Sequence, residues 1–167
     1  MFLIALNKKL RDLGWFKKNH IKEPDLIDFL DLVSLGTVCD VVPLIGLNRA
    51  FVSQGLKVMA GRKNLGLSAL YDIASISEAP SAYHMGYILG PRVNAGGRVG
   101  ESSLGIKLLT TSTPDIASAI AIHLNGLNKE RQLIEGDVLA AAISAAEKNK
   151  EYLGVLAVAV GDEWHQG

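Results

Sequence analysis

The sequence predicts a mainly α-helical chain with a single β-strand close to its C-terminal end. Apolar residues recur at helical spacing through most of the 167 residues. One apolar stripe runs from residue 113 to about residue 150, enough for a helix of roughly 54 Å at ~1.5 Å per residue. Only residues 153–160 have the near absence of polar side chains that is typical of a strand buried on both faces.

Helix start and stop signals give the order of the elements. Gly14 can end the first helix, Pro24 can open the second, and Asn48 can cap the third. The longest helix has the clearest start, because Thr113 is a good N-cap and is followed by Pro114 at the first helical position. The predicted helices span residues 2–13, 25–33, 48–59, 67–74, 82–89, 102–109 and 113–150.

Composition excludes several classes of protein. Apolar residues make up 49% of the chain and charged residues 20%, so the chain can bury a core and is not disordered. Seventeen basic residues balance seventeen acidic ones, so net charge does not indicate a nucleic-acid partner. Cys39 is the only cysteine, which excludes an internal disulfide and suits a reducing cytosol. No stretch is apolar and long enough to span a bilayer, so we expect a soluble, cytoplasmic protein without a membrane partner.

The first chemical signal is the decapeptide LGTVCDVVPL at residues 35–44. It places the carboxylate of Asp40 within an apolar run, between Gly36 and Pro43, which are both expected to end regular structure. A carboxylate among apolar neighbours needs a cation, a metal or hydrogen bonds to its oxygens. The sequence therefore predicts either a metal or catalytic role for Asp40, or an ordinary turn or cap in which Asp40 accepts backbone N–H bonds.

The second signal is GPRVNAGGRVG at residues 90–100, which contains four glycines. We interpret it as a glycine-rich loop whose N–H groups can face an anion, with Arg92 and Arg98 as bidentate donors to phosphate oxygens and Asn94 as an amide donor. The alternative is a structural loop whose arginines pair with acids or with helix carbonyls. The spacing fits neither a P-loop nor a dinucleotide fingerprint.

The two signals, in this order and followed by the long helix, resemble the RecJ-type single-strand-specific DNA exonucleases of the DHH phosphoesterase superfamily. LNKERQ at residues 127–132 and WHQG at residues 164–167 extend the resemblance over nearly the whole chain. Cys39 and Gly96 depart from it, since each stands where the family usually has alanine. Neither departure replaces a charged or donor group.

The resemblance implies a function for the intact enzyme. It implies a metal-dependent 5′-to-3′ exonuclease that hydrolyses phosphodiester bonds of single-stranded DNA in repair and recombination, with two Mn²⁺ or Mg²⁺ ions. Asp40 matches the last metal-ligand aspartate of the catalytic domain and is the expected catalytic and metal residue. Arg92, Asn94 and Arg98 fall in a motif expected to bind the nucleic acid.

The resemblance also implies a domain scheme. Residues 1–112 would be the C-terminal part of the DHH catalytic domain, residues 113–150 a long connecting helix, and residues 151–167 the first strand of a second domain. No Asp-His-His motif occurs in the chain, so we expect a central, inactive fragment of an α/β enzyme. Because its strand lacks sheet partners, we expect this fragment to self-associate or to be marginally stable. The alternatives are another DHH phosphodiesterase that acts on oligonucleotides or small phosphoesters, and a non-catalytic helical scaffold that binds DNA or protein.

Overall fold

The computed structural model describes residues 2–148, and these residues are helical with no β-strand among them. The mainly helical fold class is therefore confirmed for this part of the chain. The predicted strand at residues 153–160 lies outside the described residues, and the self-association inferred from it stays a prediction. The elements are α1 (Phe2–Asp12), α2 (Trp15–Lys18), a 3₁₀ turn (Leu26–Phe29), α3 (Leu30–Cys39), α4 (Gly46–Ala60), α5 (Leu65–Ile73), a π-helical turn (His84–Leu89), α6 (Gly90–Val99), α7 (Leu104–Thr110) and α8 (Pro114–Lys148).

The described residues form two compact units. The first contains the chain up to Lys63 together with Ala79–Met85, and the second contains Asn64–Glu78 and the chain from Gly86 onwards. The domain scheme expected from the sequence concerns a longer enzyme and stays a prediction. No helix among the described residues combines the length and the apolar character that a membrane span requires.

Close contact between α3 and α4 organises the first unit. The Ser34 hydroxyl on α3 donates to the carbonyl of Leu30 at 2.6 Å and to that of Phe51 on α4 at 3.1 Å. A Cβ atom on Gly55 of α4 would lie 1.7 Å from Ser34 Oγ and 2.1 Å from the carbonyl oxygen of Leu30. Only glycine therefore lets the two helices approach this closely.

The N-terminal half of α8 organises the second unit, with α5, α6 and α7 packed against it. Gly96 on α6 and Gly66 on α5 are contact points, since a Cβ on either would lie less than 3 Å from backbone oxygen. The fully buried leucines in this unit are Leu70, Leu89, Leu108 and Leu124. This packing fixes α6, which carries the second sequence motif.

The structure corrects two sequence interpretations of glycine. Gly36 does not end a helix but lies inside α3, where its carbonyl continues the hydrogen-bond ladder by accepting the N–H of Asp40 at 3.0 Å. Residues 90–99 form α6 and not a glycine-rich loop. In both places the i to i−4 backbone bonds outweigh the roughly 1 kcal/mol by which each glycine disfavours a helix relative to alanine.

Asp31, near the start of α3, is a buried carboxylate that the sequence analysis did not single out. It is 3% exposed, and its Oδ1 accepts the backbone N–H of Leu32 at 2.7 Å. Burial raises the pKa of Asp31 above its usual value, and the bond from Leu32 only partly opposes that rise. The buried negative charge therefore opposes folding at neutral pH.

We expect Asp31→Asn to stabilise the 167-residue chain at neutral pH. Below the ordinary pKa of aspartate, Asp31 is protonated in both the folded and the unfolded chain, so its charge does not oppose folding. As pH rises through the raised pKa of the folded state, the buried carboxyl ionises and that stability is lost. The advantage of the variant should therefore disappear as pH falls towards 3.8, the ordinary pKa of aspartate. Thermal melting at several pH values measures this, with Asp137→Asn as the control because Asp137 is exposed on α8. An advantage that grows in acid would contradict the interpretation.

Candidate metal ligand and nucleic-acid interface

Asp40 immediately follows the last residue of α3 and is exposed. Its backbone N–H closes the helix on Gly36, and the turn continues with the N–H of Val42 donating to the carbonyl of Thr37 at 3.1 Å. Val41, between them, has a positive φ of 54° and is 85% exposed. The apolar run therefore divides between α3, which contains residues 35–39, and a turn after it, and the Asp40 carboxylate is accessible.

Two side chains at the start of α4 hold the loop that follows Asp40. The Asn48 amide donates to the carbonyl of Pro43 at 3.1 Å, and Arg49 Nε donates to the carbonyl of Leu44 at 2.9 Å. These two bonds connect the second half of the decapeptide motif to α4. Asn48, which the sequence analysis expected to cap this helix, lies inside α4. Together with Arg49 it supports the shape of the turn.

The surroundings of Asp40 favour a bound cation. Asp40 stands at a helix cap and turn, as in the alternative expectation, but within the described residues its carboxylate makes no hydrogen bond or ion pair. The carboxylate lies at the C-terminal end of α3, which is the negative end of the helix dipole. Two negative groups at one helix end attract a cation.

Cys39, the residue before Asp40, is not a candidate ligand of the thiolate type. Burial and, secondarily, the charge of Asp40 raise the pKa of Cys39, which leaves this residue a thiol.

The described residues fit one metal ligand and not a complete metal centre. Across residues 2–148 no group of three or more histidine, cysteine, aspartate or glutamate side chains is arranged to hold a metal ion. Hard divalent cations usually take several oxygen ligands. Asp40 is therefore suited to complete a centre whose other ligands come from elsewhere.

The second motif forms one face of α6. Asn94 and Arg98 are four residues apart on this helix and both are exposed, so their side chains occupy the same face. Gly96 on the opposite side is buried, and a Cβ there would lie 3.2 Å from Leu124 Cδ2 of α8. Gly96 thus serves helix packing, while the exposed polar side chains of the motif are free to meet a ligand.

Arg92 occupies a different position from the other two candidates. It is half-buried, with Nε donating to Asn125 Oδ1 of α8 at 3.0 Å and Nη1 donating to the carbonyl of Ile88 at 2.7 Å. Burial lowers the pKa of its guanidinium. These bonds fix the guanidinium plane and leave Nη2 without a partner in the described part of the chain.

Sequence reasoning missed the role of Asn125. The signal was present, because Asn125 belongs to a polar block in the middle of an otherwise apolar helix stripe. Another member of that block, Asn128, is 2% exposed, and its Oδ1 accepts weak bonds from Arg131 at 3.3 and 3.4 Å. Polar residues in the middle of α8 therefore accept hydrogen bonds from two arginines, Arg131 and, from the second motif, Arg92.

The structure brings three of the sequence-predicted residues together on one helix. Arg92, Asn94 and Arg98 all lie on α6 in the second unit, with Asn94 and Arg98 sharing one exposed face. Asp40 belongs to the first unit.

Comparison with known proteins places these features in a family. No family model matches the chain. The chain is 42% identical over 171 residues to the single-stranded-DNA-specific exonuclease RecJ of Salmonella typhimurium and 38% identical over 170 residues to that of Escherichia coli. Both matches cover 99% of this chain, and the chain spans about 30% of the length of these relatives.

Solved structures agree with the sequence matches. Crystal structures of RecJ from Thermus thermophilus in complex with Mg²⁺ and with Mn²⁺ are each 30% identical to the chain, with a TM-score of 0.68. Each covers 78% of this chain, which in turn covers 21% and 20% of the two solved chains. The resemblance drawn from the two motifs is thus confirmed, and the chain is similar over nearly its whole length to one segment of these longer RecJ proteins.

Proposed function

We propose that the chain is part of a metal-dependent exonuclease that hydrolyses phosphodiester bonds of single-stranded DNA from the 5′ end. The observation that carries the proposal is the exposed Asp40 carboxylate, which lies at a negative helix end with no partner in the described residues. The relatives of the chain are single-stranded-DNA-specific exonucleases, and RecJ chains have been solved in complex with Mg²⁺ or Mn²⁺. We place the enzyme in cytoplasmic DNA repair and recombination.

In this proposal Asp40 supplies one oxygen ligand to a centre of two Mn²⁺ or Mg²⁺ ions. When bound, such ions activate a water molecule and stabilise the charge of the phosphodiester as it is cleaved. The chain's own contribution is to hold the carboxylate at the end of α3, with the loop after it fixed by Asn48 and Arg49. The remaining ligands would come from the rest of the enzyme, so the 167-residue chain alone should leave DNA intact.

The exposed face of α6 would bind the DNA backbone. Arg98 can donate two parallel hydrogen bonds to one phosphate, and Asn94 can add an amide donor one helical turn away. Arg92 would contribute its free Nη2 while Asn125 and Ile88 hold the rest of its guanidinium. We retain the domain scheme with this proposal: residues 1–112 catalytic, 113–150 connecting, and 151–167 the start of a second domain.

A segment exchange tests the proposed function with this chain's own residues. The matching segment of Salmonella typhimurium RecJ is replaced by the 167-residue chain, and the chimaera is incubated with 5′- or 3′-labelled DNA and Mg²⁺ or Mn²⁺. We expect degradation of single strands from the 5′ end and no degradation of duplex. A second chimaera with the Haemophilus influenzae RecJ segment, which is 35% identical to the chain, shows that such exchanges are tolerated. A folded but inactive first chimaera beside an active second one would contradict the proposal.

A further inference from the structure

A groove of about 370 Å³ lies between α6 and α7 in the second unit. Three aliphatic side chains and two glycines form most of its wall, and one amide and one hydroxyl add polar groups. The lining residues are Val93, Ile106, Leu109, Gly97, Gly105, Asn94 and Ser102. Ligand sites are typically of this kind, concave and mostly apolar with a few polar groups that orient the ligand.

The two glycines give the groove its shape. At Gly105 the helices touch, since a Cβ there would lie 3.1 Å from the carbonyl oxygen of Val93. At Gly97, one turn further along α6, a Cβ would meet nothing within 4 Å. The helices are therefore in contact at one end of the α6–α7 groove and open beside Gly97, where there is room for a flat group.

The polar atoms of the groove are available to a ligand. Among the described residues, neither the amide of Asn94 nor the hydroxyl of Ser102 has a hydrogen-bond partner. An amide and a hydroxyl can each donate and accept, so together they can pair with the edge of any nucleobase. Aliphatic walls with adaptable polar groups suit a base without selecting its identity.

Charge next to the groove favours a phosphate. Arg98 is exposed and shares its face of α6 with Asn94, one helical turn away. The nearest carboxylate in sequence, Glu101, pairs with Lys107 at 2.6 Å and also accepts a bond from Ser103. That pairing compensates the negative charge of Glu101, so Arg98 can act on a phosphate beside the groove.

We propose that the α6–α7 groove binds one nucleobase of the single-stranded DNA, while Arg98 binds the adjoining phosphate. The inference rests on the proposed function and adds the place where a substrate base is held. It assigns roles to Ser102, Gly97 and Ile106, which the motif comparison left without one. Holding a base in the groove fixes the register of the strand against Arg98.

Gly97→Leu tests the groove directly. Leucine would fill it, and because a Cβ at Gly97 meets no atom within 4 Å and leucine favours helix over glycine, the fold should not be weakened. We expect the 167-residue chain to bind a labelled thymidine oligomer about tenfold more weakly after the change, as measured by fluorescence anisotropy at low salt. Gly97→Ala fills less of the groove and should give a smaller loss in the same direction.

Gly136→Leu is the matched control. Gly136 is also an exposed helical glycine whose Cβ would meet nothing within 4 Å, and it lies on α8 away from the groove. It should leave binding unchanged, and thermal melting should show that all variants are folded. If Arg98→Ala weakens binding and Gly97→Leu does not, the groove proposal is overturned while the α6 face stands. If the unmodified chain does not bind the oligomer, the α6 face and the groove proposal both fail.

Discussion

Replacing Asp40 by asparagine in the segment-exchanged RecJ should lower the turnover of single-stranded DNA by about 10²-fold or more. Substituting groups that merely hydrogen-bond to a metal ligand already costs roughly 10–100-fold in activity or metal affinity, so loss of a ligand oxygen should cost at least as much. Affinity for DNA should change little, because the metals act mainly on the transition state. Single-turnover rates and anisotropy titrations, measured with both Mg²⁺ and Mn²⁺, separate the two quantities.

The control for this experiment is the same substitution in the 167-residue chain alone. Asp40 is exposed and unpartnered in the described residues, and its charge lies at the negative end of α3. Removing that charge should leave the melting temperature unchanged or raise it slightly. Near-normal turnover in the exchanged enzyme would refute the ligand assignment. Lost turnover together with a clearly lower melting temperature would instead assign Asp40 a structural role.

Gly55→Ala should destabilise the 167-residue chain by about 3 kcal/mol, at the upper end of the usual cost of overpacking. The added methyl group would lie 1.7 Å from Ser34 Oγ and 2.1 Å from the carbonyl oxygen of Leu30. Rotating the serine relieves only the first clash, since the second involves backbone in α3. The two helices must therefore separate, which exposes buried side chains of the first unit. Urea unfolding followed by circular dichroism measures the change.

Gly36→Ala is the matched control in the same helix pair. Gly36 is exposed within α3, and a Cβ there would meet nothing within 4 Å. It should therefore stabilise the chain by about 0.5–1 kcal/mol through helix propensity. The double variant Ser34→Ala with Gly55→Ala should remain destabilised because the Leu30 carbonyl is still in the way. Full recovery in that variant would mean that the serine alone limits the approach of the helices.

Local signals were sufficient for most helices. The Thr113–Pro114–Asp115 start predicted a helix over residues 113–150, and α8 is observed at Pro114–Lys148. The starts of α5 and of the 3₁₀ turn before α3 were less clear, because Asn64 and Asp25 cap them through side-chain bonds that the apolar pattern does not reveal. The four-residue helix α2 was missed because it is too short to show periodicity.

The sequence did not reveal which glycines end a helix, which lie inside one and which allow two helices to touch, and the reason is physical. Gly36 and Gly55 are chemically identical, yet one is open to solvent and the other is pressed against a neighbouring helix. That difference depends on partners distant in sequence and cannot be read from local composition. The same limit explains why Asn125 was missed, since its contact with Arg92 spans 33 residues. Asp40 and Arg98 could be predicted as candidates because their motifs resemble those of a known family.

The long helix α8 also has a mechanical consequence. Its buried residues end at Asn128, and no later residue of the helix is buried within the described part of the chain. The remaining stretch to Lys148 extends ~30 Å at ~1.5 Å per residue. Pivoting about its packed half by about 5° would move the far end of this rod by ~2.5 Å, by simple leverage over that length. A movement of α8 that is very small beside Arg92 would therefore reach, at Lys148, the length of a bond between a metal ion and its ligand.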